Sequence, residues 1–211
     1  MSESSAFRWL SACLTDVGKV RVLNEDACLE LPQAGVWVVA DGMGGHDAGE
    51  LASGMIVDTL RTLSPAPGMN QLLDEVEERL LDVNTRLVRE AALRGRNVTI
   101  GSTVVVLLAC HSQCVCLWAG DSRVYRLRDG RLTRLTRDHS QVEEWVEQGH
   151  MLREDAENHP GANIITRAVG ADDALHLDSE FHDLRHRDRF LLCSDGLYKE
   201  LRRGALTHLY R

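Results

Sequence analysis

Several features that define whole classes of protein are missing from the sequence. The sequence has 24 lysine and arginine residues and 32 aspartate and glutamate residues, which gives a net charge of −8. This charge excludes the basic footprint of a general nucleic-acid-binding protein. No apolar run approaches the roughly 18–20 residues that a membrane-spanning helix needs. The N-terminus has no basic stretch followed by an apolar one, so no secretory signal is visible. We therefore expect a cytoplasmic chain with no nucleic-acid or membrane partner.

Cysteine is also sparse, with six residues in 211, which is too few for a disulfide scaffold. Cys110, His111, Cys114 and Cys116 lie close together and raise the question of a zinc site. The group lacks a CxxC pair, and the sequence has no second ligand cluster that could complete a zinc site with it. Cys114 and Cys116 fall on one face of a predicted strand, and free cysteine is among the most buried residue types. We interpret these cysteines as core residues.

The apolar content, 44% of the chain, is enough for one core. No repeat or composition shift divides the chain, so we expect a single domain over residues 1–211. Apolar patterns predict helices that start near residue 48 and span 73–91 and 140–148. They predict strands at 7–15, 27–31, 36–40, 103–109, 115–118, 124–127, 132–135, 164–169, 176–181 and 189–193. This order lacks regular βαβ alternation and favours an α+β fold with mostly antiparallel sheets covered by helices.

Three common catalytic motifs are absent. The glycine-rich stretch at 41–45 is neither a P-loop nor a dinucleotide-binding fingerprint. No G-x-S-x-G nucleophile elbow occurs, so a serine hydrolase of that type is excluded.

Aspartates at the ends of apolar strands are the strongest chemical signal. Asp41 and Asp195 each end such a strand, and each precedes a glycine. Carboxylates and backbone carbonyls are the ligands of hard divalent cations. A simple turn is the alternative for either pair alone. Asp26 and Asp121, which we also place after strand-like segments, weaken that alternative.

Arg21 lies shortly before a second acidic pair, Glu25 and Asp26. Its planar guanidinium could bind a phosphate group through two parallel hydrogen bonds. It could equally serve as an ion-pair partner for the neighbouring acids. The spacing leaves both interpretations open.

Seven short blocks carry a resemblance that extends over nearly the whole chain. They are TDVGKVR with NED at 15–26, VADGMGG at 39–45, GST at 101–103, AGDSR at 119–123, TRDHS at 136–140, ITRAVG at 165–170 and CSDGL at 193–197. In this order they resemble the type 2C, metal-dependent protein serine/threonine phosphatases of the bacterial branch. The resemblance implies two antiparallel sheets packed face to face, with helices outside, in a four-layer α-β-β-α sandwich.

The resemblance also assigns roles to individual residues. Asp41 would bridge two Mn²⁺ or Mg²⁺ ions, the Gly42 carbonyl would bind one of them, and Asp195 would bind the other. Glu25 and Asp26 would act largely through bound waters. Asp121 would join Asp195 at a third, weaker ion seen in some members, and Arg21 would hold the substrate phosphate.

The implied reaction is the hydrolysis of phosphoserine and phosphothreonine in proteins. Two ions can share a water, lower its pKa and direct it in line at phosphorus, so no serine or cysteine has to act as a nucleophile. The expected partner is a phosphoprotein that a serine/threonine kinase has modified, and the expected state is a monomer. The irregular stretch at 149–163 resembles the family's flap beside the active site.

Two departures from the family pattern bear on activity. Met43 stands where some members carry a histidine that could act as general acid, and His46 is the nearest candidate, with a solvated loop histidine as the alternative. Members usually continue to a final strand and a further aspartate ligand, and no aspartate follows Asp195. This predicts that one metal site lacks a ligand and one sheet lacks a strand. The alternative function is therefore a catalytically weak, phosphoprotein-binding member of the fold.

Overall fold

The computed structural model describes residues 7–19, 21–45, 47–95, 98–156 and 159–200. In these residues the strands are Asp26–Leu31 (β1), Val36–Met43 (β2), Gly101–Ser102 (β3), Val104–Cys110 (β4), Gln113–Ala119 (β5), Arg123–Arg128 (β6), Arg131–Arg134 (β7), Asp178–Asp183 (β8) and Arg189–Cys193 (β9). The helices are Ala48–Leu60 (α1), Met69–Arg94 (α2), Gln141–Glu147 (α3), Arg153–Ala156 (α4), the 3-10 helix Pro160–Asn163 and Asp195–Tyr198 (α5). None of the described helices is both long enough and apolar enough to span a bilayer.

The larger sheet has the order β1-β2-β4-β5-β8, all antiparallel, and β3 pairs with β2. Side chains alternate between its two faces because successive residues of a strand point in opposite directions. Val36 and Val38 therefore pack with helices α1 and α2, whereas Trp37 faces the other way. The predicted apolar stripe of α2 is confirmed, since Val76, Leu80 and its other buried apolar residues lie in this helix-covered core.

The smaller sheet has the order β7-β6-β9 and is also antiparallel. Val124 and Leu192 pack with Trp37 and Trp118 of the larger sheet and form a second core between the two sheets. On the outer face of the smaller sheet, Tyr198 of α5 packs with Tyr125 and Cys193. The predicted α+β arrangement, with two antiparallel sheets face to face and helices outside, is therefore confirmed.

The predicted strand at 7–15 is wrong, because this stretch forms no ladder in the described residues. Its aromatic side chains are used for packing instead: the ring of Trp9 lies 4.7 Å from that of Trp37 and 6.4 Å from that of Phe190. Leu10 and Leu14 are almost fully exposed. The apolar pattern thus reflected aromatic contacts with the core rather than backbone pairing.

The predicted strand at 164–169 is also wrong. Ile165 forms one isolated bridge to Ser140, and Val169 forms another to Ser102. These partners belong to different parts of the chain, so no continuous ladder can form. The predicted irregular stretch at 149–163 contains two short helices, α4 and the 3-10 helix.

The cysteines divide into two groups. Cys114 and Cys116 are buried, as predicted, and Cys110 is partly buried at the end of β4. A disulfide joins Cys13 to Cys28 and fastens the irregular N-terminal segment to β1. Nothing in the sequence spacing had indicated this pair.

Candidate active site

Strand pairing brings the predicted carboxylates to one end of the two sheets. Asp26, the first residue of β1, stands directly opposite Asp41 of β2. Strands β2 and β5 run parallel because both are antiparallel to β4, so Asp121 emerges beyond β5 at the same edge. Cys193 at the end of β9 pairs with Arg123, which brings Asp195 close to Asp121.

Burial and mutual repulsion dominate the electrostatics of this cluster. Burial, and after it the nearby carboxylates of Asp26, Asp195 and Asp121, together raise the pKa of Asp41 to about 8. The pKa of Asp26 is also raised, chiefly by burial, although hydrogen bonds from Ser194 and Asp41 oppose the rise. Like charges in a buried site cannot all remain ionised without a compensating cation. The cluster is therefore suited to binding positive charge.

Hydroxyl groups from three of the sequence blocks orient the cluster. The Asp41 backbone N–H donates to Thr103 Oγ1 at 3.2 Å, and the Thr103 N–H donates to the Asp41 carbonyl at 2.9 Å. The Thr103 and Ser122 hydroxyls lie 2.8 Å apart. Ser194 donates to Asp26 Oδ2 at 2.8 Å. The sequence blocks contained these residues, but their spacing in the chain did not reveal these roles.

Glycines make room for Glu25 beside the start of α1. The Gly42 N–H donates to the Glu25 carbonyl at 3.0 Å. A Cβ on Gly42 would overlap the Gly49 carbonyl oxygen, and a Cβ on Gly49 would overlap the Glu25 carboxylate. Only glycine fits at either position. Gly49 was not identified from the sequence.

Asp121 is buried and only partly satisfied. The Tyr198 hydroxyl donates to its backbone carbonyl at 3.1 Å and to Oδ2 at 3.2 Å. Its other carboxylate oxygen, Oδ1, is buried and has no hydrogen-bond partner among the residues that the structure describes. Burial raises the pKa of Asp121, and the ammonium of Lys199 opposes that rise. An unpartnered buried acceptor of this kind is a candidate metal ligand.

The donor set fits a hard divalent cation. Carboxylate oxygens and a backbone carbonyl are what Mg²⁺ and Mn²⁺ prefer. Among the described residues, no three histidine, cysteine, aspartate or glutamate side chains form a group that could by itself hold an ion. The roles of Glu25 and Asp26 through bound waters stay a prediction.

Arg21 and His46 complete the comparison with the residues named from the sequence. Arg21 is exposed, and within the described residues it forms no ion pair with Glu25 or Asp26. Its guanidinium is thus available to a ligand. His46, the candidate general acid, lies outside the described residues, as does the basic stretch 202–206 that follows α5.

Comparison with known proteins agrees with this geometry. The model of the protein phosphatase 2C family matches residues 19–209. The serine/threonine phosphatase stp of Listeria monocytogenes is 36% identical over 190 residues, which cover 87% of this chain and 75% of that protein. The serine/threonine protein phosphatase PstP of Mycobacterium tuberculosis is 33% identical over 186 residues, which cover 88% of this chain and 36% of that protein.

Solved structures give the same result. PppA, described as a regulatory component of T6SS in Pseudomonas aeruginosa, is 46% identical with a TM-score of 0.85, and the match covers 93% of this chain and 81% of that one. The catalytic domain of PstP in complex with two manganese ions is 30% identical with a TM-score of 0.80, and covers 92% and 81%. The resemblance read from the seven blocks is confirmed, and the chain belongs to the protein phosphatase 2C family.

Proposed function

We propose that this chain hydrolyses phosphoserine and phosphothreonine esters in proteins, with Mn²⁺ or Mg²⁺ as cofactor. The observation that carries the proposal is the half-buried carboxylate cluster around Asp41, whose like charges cannot all remain ionised at neutral pH without a compensating cation. Membership of the phosphatase family supports the same conclusion.

In this proposal the chain's own residues hold and orient the reactants. Asp41 would hold both cations, the Gly42 carbonyl would hold one and Asp195 the other, and Glu25 and Asp26 would act through waters. When bound, the cations lower the pKa of a shared water and neutralise charge on the phosphate. Arg21 binds the phosphate oxygens through its planar guanidinium. Thr103 and Ser194 keep Asp41 and Asp26 in place by the hydrogen bonds described above.

A second candidate function is a phosphoprotein-binding member of the fold with weak catalysis. The ion pair between Lys199 and Asp195, 2.6 Å long, favours it because Asp195 is already partnered. Calorimetric titration with Mn²⁺ separates the two functions. Two bound ions support the enzyme, and one weak ion or none supports the binding module.

The expected substrate is the protein target of a serine/threonine kinase, and we propose that the chain acts on it in the cytoplasm as a monomer. The phosphatase family and the net charge of −8 support a protein rather than a nucleic-acid substrate. Release of phosphate from kinase-treated protein, with a phosphotyrosine peptide as control, tests the substrate class. Light scattering after gel filtration tests the oligomeric state.

The decisive experiment measures hydrolysis of p-nitrophenyl phosphate and of a phosphothreonine peptide with Mn²⁺ and with chelator. We expect Asp41→Asn to lose at least roughly 100-fold in kcat, since it removes the carboxylate between both cation positions. Asp58→Asn, which changes an exposed aspartate of α1, is the matched control and should retain activity. Activity that survives chelation, or that Asp41→Asn leaves unchanged, would overturn the mechanism.

A further inference from the structure

Lys199 stands at the edge of the carboxylate cluster and belongs to a rare residue type in this chain. Only two of the 24 basic residues are lysines, Lys19 and Lys199, and the rest are arginines. The Lys199 ammonium lies 2.6 Å from Asp195 Oδ2, 3.6 Å from Asp121 Oδ2 and 2.7 Å from Asn163 Oδ1. Three oxygen acceptors thus surround a group that has three N–H donors.

The position of the ammonium follows from local structure. Asp195 and Lys199 are four residues apart across the single turn of α5, a spacing that places their side chains on one face. Tyr198 fixes this turn against Asp121 through its hydroxyl. The guanidinium of Arg123 covers the Tyr198 ring at 3.5 Å and is itself held by Asp138.

Charge explains why a cation is needed there. The Asp121 side chain is 5% exposed and faces the carboxylate of Asp195, so ionising both without a positive partner is costly. A single positive charge between the two carboxylates removes most of this cost. Lys199 provides that charge covalently, without a bound ion.

We propose that Lys199 is a tethered cation that occupies the place between Asp121 and Asp195, where the family resemblance implies a third, weaker ion. The chain would then bind two divalent ions rather than three. This inference rests on the proposed function, because it assumes that the neighbouring carboxylates bind the other two ions. Its consequence is that removal of the ammonium opens an additional ion site.

Equilibrium dialysis with Mn²⁺ tests the inference by counting bound ions. We expect two ions in the wild type and one further, weaker ion in Lys199→Gln. Lys199→Arg keeps the charge and should stay at two, and Lys19→Gln, which removes the exposed lysine, should also stay at two. The same count in Lys199→Gln and in the wild type overturns the inference. Circular dichroism of each variant establishes that it is folded.

A second measurement uses the wild type alone, so it does not depend on how the variants fold. Because the chain has two lysines, acetylation of each by an N-hydroxysuccinimide ester can be followed by mass spectrometry. Lys199 should react more slowly than Lys19 both without Mn²⁺ and with saturating Mn²⁺. If saturating Mn²⁺ brings Lys199 to the rate of Lys19, an ion has displaced the ammonium and the inference is wrong.

The outcomes also separate the inference from the proposed function. Two Mn²⁺ ions in both the wild type and Lys199→Gln leave the phosphatase proposal standing and remove only the role of Lys199. No bound Mn²⁺ in either protein removes both.

Discussion

Asp26 and Asp41 stand directly opposite each other on the antiparallel strands β1 and β2, with both carboxyl groups in one half-buried cluster. Like charges in directly opposed positions of an antiparallel pair are destabilising. The sheet here places them together at the edge where Asp121 and Asp195 also emerge. The fold therefore carries a local electrostatic cost that a divalent cation can relieve.

The first prediction concerns this cost. Mn²⁺ should stabilise the wild type, because a ligand at 100 times its Kd contributes about 2.7 kcal/mol to the folded state. For a chain of this size that corresponds to a rise in Tm of about 5–10 °C. Asp41→Asn should lose most of this rise. Without metal, it should melt no lower than the wild type, since a neutral amide replaces one of the repelling carboxylates. Thermal unfolding with Mn²⁺ and with chelator measures both effects, and Asp58→Asn should behave like the wild type.

The sequence predicted those parts of the site that depend on local pattern. Apolar strands and the following glycine predicted that Asp41 and Asp195 lie at strand ends. In the structure Asp41 lies two residues before the end of β2, and Asp195 begins α5, two residues after the end of β9. Contacts between residues far apart in the chain left no local signal. Thr103 with Ser122, Gly49 beneath Glu25, and Lys199 beside Asp121 are of this kind. The strand predicted at 7–15 is wrong for a different reason. In the described residues, apolar side chains of this stretch pack without backbone pairing.

The second prediction tests the close packing in the Asp-Gly-Met-Gly-Gly stretch. Gly42→Ala should destabilise the protein by about 2 kcal/mol or more, because its new Cβ would collide with the backbone carbonyl of Gly49. It should also reduce Mn²⁺ affinity, since that collision displaces the Gly42 carbonyl. Gly45→Ala is the matched control, because a Cβ there meets no atom of the described residues within 4 Å and Gly45 is not among the glycines with positive φ. Equal losses of stability in both variants would contradict this explanation.

The third prediction concerns the core between α2 and the larger sheet. Leu80 is completely buried, whereas its neighbour Leu81 is 47% exposed on the same helix. Leu80→Ala should cost about 2–5 kcal/mol through lost burial and the cavity left behind. Leu81→Ala should cost less than about 1 kcal/mol. Urea unfolding of both variants provides the comparison, and similar midpoints would show that the core is not where the structure puts it.

The fourth prediction is a pH dependence remote from the carboxylate cluster. Asp188 has a side chain only 4% exposed and accepts two hydrogen bonds from Arg128, at 2.7 Å and 2.6 Å. A third comes from the Arg185 backbone N–H at 2.8 Å. Burial raises the pKa of Asp188, but the hydrogen bonds from Arg128 and Arg185 outweigh it and leave the pKa below its ordinary value.

The sign of the effect follows from linkage between protonation and folding. A carboxyl whose pKa is lower in the folded state stabilises the protein above its unfolded pKa, about 3.9, and the stabilisation is lost as the pH falls through the folded pKa. Asp188→Asn should therefore cost about 2 kcal/mol at pH 7, as expected for charge-assisted hydrogen bonds. The difference in stability between wild type and variant should shrink as the pH falls below about 4.

Urea midpoints between pH 7 and pH 3 measure this difference in stability. Asp82→Asn, at an exposed pair with Arg86, should show only a small difference at every pH. A penalty for Asp188→Asn that stays constant with pH would mean that the amide disturbs packing and that the charge of Asp188 contributes nothing.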